Sequence, residues 1–533
     1  MDDRRVSELV ERVVARLREQ GVGGVALQAP KVKSHEPVLN WRSRRRMVDE
    51  SLQHSSAAPA PAATASSPAA YSTSAGTSAP SKTRLQPAGG GIYDDVDRAV
   101  QAARCAFEEY SKLGFAIRYR VVEAIRKTAL ENLEAWSRAA VEETGLGRVE
   151  DKVKKNRLVA TKTFGPELLR QPDTYGGDDG HTITERAPFG VIASIIPCTN
   201  STETIINNGI SMLSAGNTVV FNPHPIAKRI SASAVRTLNL AIAAAGGPRE
   251  LLSCLAEPSI DSAHALMRHP LINLVMVTGG GAVVEAAQKS GKRAICAGPG
   301  NPPAVVDETA DLDQAARDLV AGASFDNNVV CTDEKVFVVV ESVADALKER
   351  MLRGGCVEVK GADVERLTEL VLAEKGGPTT GKHGAPNRKF VGKNASLILR
   401  ELGIHAGDDV RLALVDVERD HPLAWTEQLM PVMPLVRMKD ADEAIAYAAE
   451  VEANRRHTAS IHSRRVDRIT AFARALNCSL CIANAPNYAG LGAGGEGYTS
   501  FSIATPTGEG LTTARTFTRE RRLAVCGGGL RFV

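Results

Sequence analysis

Cys331 sits between a polar turn, Asp326 to Asn328, and a β-prone run, Val336 to Val340. A thiol at such a loop-to-strand junction can reach a cleft, where its thiolate can attack an electrophilic carbon. The competing reading is a structural cysteine, because free cysteine is among the most buried residue types. Thr278-Gly279-Gly280-Gly281 closes a strand-like run and opens a helical one. Small residues there let backbone N–H groups approach a phosphate at the positive end of a helix, although glycine clusters at turns are common. The six-residue glycine fingerprint for dinucleotides is not matched, since Val284 stands where a later glycine is sought. Cys478 and Cys481 form a CxxC with no second pair and no clustered histidines. On the strand that Leu480 to Ala483 suggests, an offset of three puts the two sulfurs on opposite faces. Both read as core cysteines, and no metal site is expected.

The elements that must position these residues alternate in type. Gly190 to Pro197 is a continuous apolar run, the pattern of a strand buried on both faces. After it come helix 203–214, strand 218–221, helix 226–245, strand 251–255, helix 260–268, strand 272–277, helix 282–290 and strand 292–296. Such alternation implies an α/β fold with a doubly wound parallel sheet, whose ligands bind at the carboxyl ends of the strands. Residues 324–496 alternate again. Ahead of the first strand, 94–110 and 116–143 carry helical periodicity, and Gly176 to Gly180 punctuate before the alternating piece Thr182 to Arg186. Near the C-terminus Ala514 to Thr518 alternates and is expected to pair at a sheet edge.

A chain of 533 residues is too long for one core, so two or three domains are expected. Its 43% hydrophobic and 24% charged residues describe an ordinary globular protein. A net charge of +3 gives no electrostatic case for nucleic acid or an anionic membrane, and 4% aromatics argue against base-stacking platforms. No apolar run approaches the roughly 20 residues that span a bilayer, and the charged start lacks the apolar region of a secretory signal. Nine cysteines without pairing rhythm suit a reducing cytosol. Residues 2–20 read as an amphipathic helix, with Val6, Leu9, Val10, Val13, Val14 and Leu17 on one face. Residues 55–91, almost wholly Ala, Ser, Pro, Thr and Gly, hold too little apolar surface to order themselves. A short amphipathic helix ahead of such a segment reads as a docking peptide; packing on its own domain is the competing reading. The cluster Arg42, Arg44, Arg45 and Arg46 reads as a solvated charge run.

Several separated motifs carry a resemblance. They are Pro188 to Ile192, Pro197 to Ile205, Phe221 to Pro225, Gly298 to Pro303, Phe325 to Lys335 and Tyr488 to Arg519. Together they resemble the aldehyde dehydrogenase superfamily, and more closely its CoA-acylating propionaldehyde and acetaldehyde dehydrogenases of bacterial microcompartments, over about residues 92–525. The resemblance implies a Rossmann-like NAD/CoA-binding domain (92–323, with an oligomerisation hairpin near 172–188), an α/β catalytic domain (324–496) and a C-terminal arm (497–533). Residues 1–20 resemble an encapsulation helix that docks on shell proteins, with 21–91 as its linker.

The family mechanism then assigns roles. Cys331 matches the nucleophile that attacks the aldehyde carbonyl and carries the thioester. Its backbone N–H and the side chain of Asn200 match the oxyanion donors, and Glu427 matches the ligand of the nicotinamide ribose. Thr278, Gly279, Gly280, Asn222, Pro223 and His224 fall at the cofactor. Asn222 stands where hydrolytic relatives carry a lysine, and Pro225 where many carry a glutamate, which fits a pocket shared in turn by NAD and the adenosine end of CoA. Cys296 aligns with the glutamate that activates water in hydrolytic relatives, and a neutral thiol is a poor general base; the competing reading is that Cys296 merely ends a buried strand and another carboxylate acts as base. The resemblance implies a cytoplasmic homo-oligomer, dimer or tetramer, housed in a microcompartment, that turns a short-chain aldehyde into acyl-CoA. A hydrolytic enzyme giving a free acid, and a non-catalytic shell-docking protein, are the alternatives.

Overall fold

The computed structural model describes residues 90–378 and 383–527. The expected helix over 2–20, the arginine cluster and the segment 55–89 lie outside the described residues.

Six parallel strands form the first sheet, in the order Ile92–Tyr93, Leu252–Leu255, Thr218–Pro223, Val191–Ile196, Ile272–Thr278, Ala294–Ala297. Every residue of Val191–Ile196 is buried, as its unbroken apolar run requires of a central parallel strand. From this strand the chain first moves outward through Thr218–Pro223 and Leu252–Leu255, then crosses to Ile272–Thr278 on the other side. Loops leaving the ends of Val191–Ile196 and Ile272–Thr278 therefore diverge and open a crevice at the carboxyl edge. Helix Ile260–Arg268, on the way back across, starts with a reciprocal cap between Ser259 and Ser262.

Seven parallel strands form the second sheet, in the order Cys356–Val359, Leu412–Val417, Val432–Met438, Val336–Val340, Pro303–Val306, Thr458–His462, Leu480–Ala483. The passage between sheets lies between Ala297 and Pro303, ahead of the division at residue 324 that the sequence suggests. Pro303–Val306 is four residues long and opens on the second of two adjacent prolines, too short to show a period. Helix Leu312–Ala323 already packs in the second sheet's core, Ala315 and Leu319 lying with Phe337 and Leu347.

Three further expectations need correction. Residues 116–143 are two helices, Phe115–Glu131 and Leu133–Thr144, because Asn132 leaves helical geometry and its side-chain amide donates to Thr128 O at 2.8 Å. Ala514–Phe517 is a 3₁₀ turn closed by Thr513 and Thr516, and the strand begins only at Thr518. Cys478 precedes its strand and is half-buried, while Cys481 is exposed, with its Sγ 3.9 Å from Cys478 O. The pair shares a surface corner rather than opposite faces of a core strand.

An antiparallel sheet stands apart from the two parallel ones. Asp173–Gly177 turns into Gly180–Pro188, and Thr518–Cys526 pairs with the latter from Thr518↔Pro188 to Cys526↔Gly180. Gly180 has φ 120°, and a Cβ there would meet Val525 O at 2.0 Å. Phe501, Ile503, Ala504, Ala514 and Phe517 belong to the first sheet's core, so among the described C-terminal residues only Thr518–Cys526 forms the arm.

Candidate active site

A cavity of about 830 Å³ occupies the crevice at the carboxyl edge of the first sheet. Cys331, Asn200, Glu427, Thr278, Gly279, Gly280, Asn222, Pro223 and His224 all line it, so residues spread over two sheets meet in one space. Thr278 ends a strand and helix Gly281–Gln288 follows, with Ala282 and Val283 of its first turn lining the cavity. A Cβ at Gly280 or Gly281 would meet nothing within 4 Å, so the protein's own packing does not demand glycine there. The bare backbone leaves room for a ligand's phosphate to approach. Asn222 accepts from Ser262 Oγ at 2.6 Å, and burial holds the His224 imidazole below its usual pKa, with Arg388 adding to the effect.

The loop that carries Cys331 has an uncommon backbone. Asp326, Asn327 and Asn328 have φ of 46°, 54° and 65°, three successive left-handed residues without a glycine. Such geometry persists only when its surroundings over-determine it, and here each side chain is tied down. Asn327 Nδ2 donates to Gly392 O and Asn394 Oδ1, and Asn328 Nδ2 to Ala323 O and Glu334 O. Asp326 pairs with Lys152 at 3.0 Å and Lys155 at 2.6 Å, all three buried. Lys335 Nζ donates to Asn328 O, Asn328 Oδ1 and Val330 O at 3.1, 2.7 and 3.0 Å, which holds the chain rigid up to the nucleophile.

Across from this loop, Gly300 N donates to Glu427 Oε1 at 3.3 Å. A Cβ on Gly300 would lie 3.0 Å from both Cys331 O and the His457 ring, so the loop passes close behind the thiol's backbone. Burial pushes the Cys331 thiol up to about 12, Glu427 adding and Lys335 opposing. Burial likewise raises the Glu427 carboxyl, against Lys335 and Arg455. The pocket thus holds a neutral thiol beside a carboxyl that ionises reluctantly.

The sequence profile of the Aldehyde dehydrogenase family matches residues 82–354 and 412–509. The chain belongs to the aldehyde dehydrogenase family. It is 49% identical over 438 residues to an acetylating acetaldehyde dehydrogenase of Bilophila wadsworthia, covering 82% of this chain and 90% of that one. The fold matches a crystal structure of Rhodopseudomonas palustris propionaldehyde dehydrogenase with bound CoA and an acylated cysteine, at a TM-score of 0.79 and 44% identity over 82% of this chain and 98% of that one. It equally matches a propionaldehyde dehydrogenase from the fucose utilisation microcompartment of Clostridium phytofermentans, at a TM-score of 0.79 and 43% identity over 83% of this chain and 100% of that one.

Within this aldehyde dehydrogenase fold, Cys296 follows the competing reading of a buried strand residue. It is fully buried in strand Ala294–Ala297 among the first sheet's core residues, and the cavity is lined instead by Ala297, Gly298 and Pro299. A glutamate put there would enter the core. The carboxylates that do line the cavity are Glu427 and Glu285, and the latter is exposed and ion-paired with Lys289. Two groups near the site carry no readable sequence signal. His457 is buried, its imidazole held down to about 3 by burial, then Lys335 and Arg455, and its Nε2 has no hydrogen-bond partner. Lys152 and Lys155 lie in the charged run Glu150 to Lys155 of helix Val149–Lys162, which reads as a solvated face although both are buried.

Proposed function

We propose that this chain oxidises a short-chain aldehyde of the acetaldehyde or propionaldehyde type and passes the acyl group to CoA. It is a CoA-acylating aldehyde dehydrogenase. The observation that carries this reading is the meeting of Cys331, Asn200, Glu427 and the open backbone at Gly280 in one cavity. Cys331 Sγ, once deprotonated, bonds to the aldehyde carbon. The carbonyl oxygen becomes an oxyanion facing the Cys331 backbone N–H and the Asn200 amide. Thr278, Gly279, Gly280, Asn222, Pro223, His224 and Glu427 would hold NAD, which would supply the hydride acceptor. Loss of hydride leaves a thioester on Cys331. The CoA thiol then attacks that thioester, and acyl-CoA leaves as the Cys331 thiolate is restored.

The scarcity of inner carboxylates favours CoA over water as the acyl acceptor. General-base assistance is worth about 10²–10⁴-fold, and Glu427 is engaged at Gly300 N. The family habit favours NAD over NADP. The finer reading continues with residues 92–323 and 324–496 as the cofactor and catalytic parts, the antiparallel arm as a homo-oligomer contact, and residues 1–20 as the segment that docks on shell proteins of a cytoplasmic microcompartment.

The test supplies propionaldehyde and NAD⁺ with and without CoA. NADH should form continuously only with CoA, acyl-CoA should be the product, and Cys331→Ala should form none while keeping its fold. Without CoA, mass spectrometry should find the acyl group on Cys331. An adduct on Cys198, another cysteine lining the cavity, would overturn the assignment. Rapid steady-state acid formation without CoA would favour the hydrolytic alternative, and no NADH under any condition the shell-docking one.

A further inference from the structure

Lys155 is fully buried and sits where the two halves of the site meet. Its Nζ lies 2.5 Å from Asn200 Oδ1 and 2.6 Å from Asp326 Oδ2. Glu203 Oε1 is 3.2 Å away as an ion pair, and Thr199 O accepts at 3.5 Å. Lys152 repeats part of this pattern, donating to Thr199 O at 3.1 Å and Asp326 Oδ2 at 3.0 Å. Two lysines and two carboxylates thus balance in charge inside the protein, which a buried ion cluster requires. Burial opposes the Lys155 charge, but Asp326 and Glu203 outweigh it, so its pKa is raised and it stays cationic at neutral pH.

A lysine ammonium has three donors and no acceptor. The Asn200 atom that faces it must therefore be the oxygen, which settles which way the amide is turned. Asn200 Nδ2 is then directed away from Lys155. One of its N–H groups donates to Thr199 Oγ1 at 3.2 Å, and the other is left for a ligand in the cavity that Asn200 lines. The backbone of Asn200 is fixed as well, because its carbonyl accepts from Thr204 N and Thr204 Oγ1 at the start of helix Ser201–Ser214. Asp326, the other partner, begins the left-handed run that leads to Cys331. One ammonium therefore touches both the amide and the nucleophile's loop.

We propose that Lys155 is a positioning residue for acylation, which turns the Asn200 amide so that an N–H faces the developing oxyanion and ties that amide to the Cys331 loop through Asp326. The proposal rests on the reading of Asn200 as an oxyanion donor. Without Lys155, Asn200 is free to flip and present its oxygen, which would repel the oxyanion.

A double-mutant cycle on the full chain tests this, read as the single-turnover rate of NADH formation from propionaldehyde and NAD⁺ without CoA. Asn200→Ala should slow that rate by about 10²–10³-fold, the usual effect of removing an oxyanion donor. Lys155→Met should slow it by at least about tenfold, and the double variant should be within about threefold of Asn200→Ala alone, since coupled residues do not add. Lys155→Gln, whose amide can still donate to Oδ1, should recover most of the loss. Alkylation of Cys331 by iodoacetamide, which builds no carbonyl oxyanion, should keep its rate in Lys155→Met. Should Lys155→Met fail to fold, the cycle is run in a Glu203→Gln background, which removes one of the carboxylates left without its ion-pair partner, and is read against Glu203→Gln alone. Effects that multiply, or alkylation that falls in step with NADH formation, would overturn the proposal by showing a loop displaced as a whole. An unslowed Asn200→Ala would instead sink the reading of Asn200, and this proposal with it.

Discussion

A half-buried thiol beside a carboxylate is a weak nucleophile until its surroundings change, and Cys331 is in that position on the cavity wall. Its pKa is pushed up to about 12 by burial first and Glu427 second, with Lys335 opposing. The sign follows directly: burial and negative charge both disfavour the thiolate, so reactivity at neutral pH is low. The rate of Cys331 alkylation should therefore climb from about pH 7 to about pH 10 without levelling, because half-ionisation lies above that window. Glu427→Gln removes the negative charge and should shift the profile to lower pH. A plateau by about pH 9 without added ligand would mean that the thiol is not buried as described. At this scale much of the site was legible. Cys331 and the 278–280 turn can be singled out by residue type, Asn200 and Glu427 come only with the family resemblance, and all of them line one cavity. Lys155 and His457 carry no such signal, since a lysine in a charged helix and a lone histidine look the same in sequence whether they face water or a site. Cys296 shows the opposite case. An alignment column fixes a residue's place along a strand but not which side of it is open.

Elements are legible in proportion to their length and periodicity. Val191–Ile196 and Ile260–Arg268 emerge within a residue of their sequence bounds because one is an unbroken apolar run and the other is capped at Ser259. The strand Ile92–Tyr93 has two residues and no period to detect. The antiparallel arm is partly legible, since Gly176 to Gly180 mark its turn, but its third strand comes from over 300 residues later and is set by pairing alone. All of Asp173–Gly177 is exposed, and Tyr175 and Leu523 stand 61% and 63% exposed. A small sheet with an unpartnered face and edges is marginal by itself and invites a second chain. Leu523→Lys should weaken self-association by about tenfold or more, the scale of a buried apolar anchor lost from an interface. Sedimentation velocity over a concentration series reads this directly. An unchanged mass distribution, or a wild-type protein that is monomeric throughout, would remove the arm from any oligomer contact.

At the scale of the whole molecule, the residues assigned to the site and the proposed docking segment occupy separate stretches of the sequence. All nine residues assigned to the site fall between Asn200 and Glu427, and the family profile begins only at residue 82. If residues 1–20 form the helix that their spacing implies, Val6, Leu9, Val10, Val13, Val14 and Leu17 make an apolar stripe, and the composition of 55–91 holds almost no large apolar residue with which to bury it nearby. The stripe therefore needs a partner surface, either on the catalytic body or on another protein. These two choices differ in what a deletion does. If the partner is a shell protein, removing residues 1–20 leaves kcat/KM within about twofold while co-purification with shell proteins is lost, because no site residue depends on the segment. Leu9→Glu with Val13→Glu should reproduce the loss without shortening the chain, since two charges on one face abolish its apolar burial. The control is the same deletion's thermal unfolding. A lowered midpoint together with lost activity would place the helix on its own catalytic body, and retained co-purification with shell proteins would show that the address lies elsewhere in the chain.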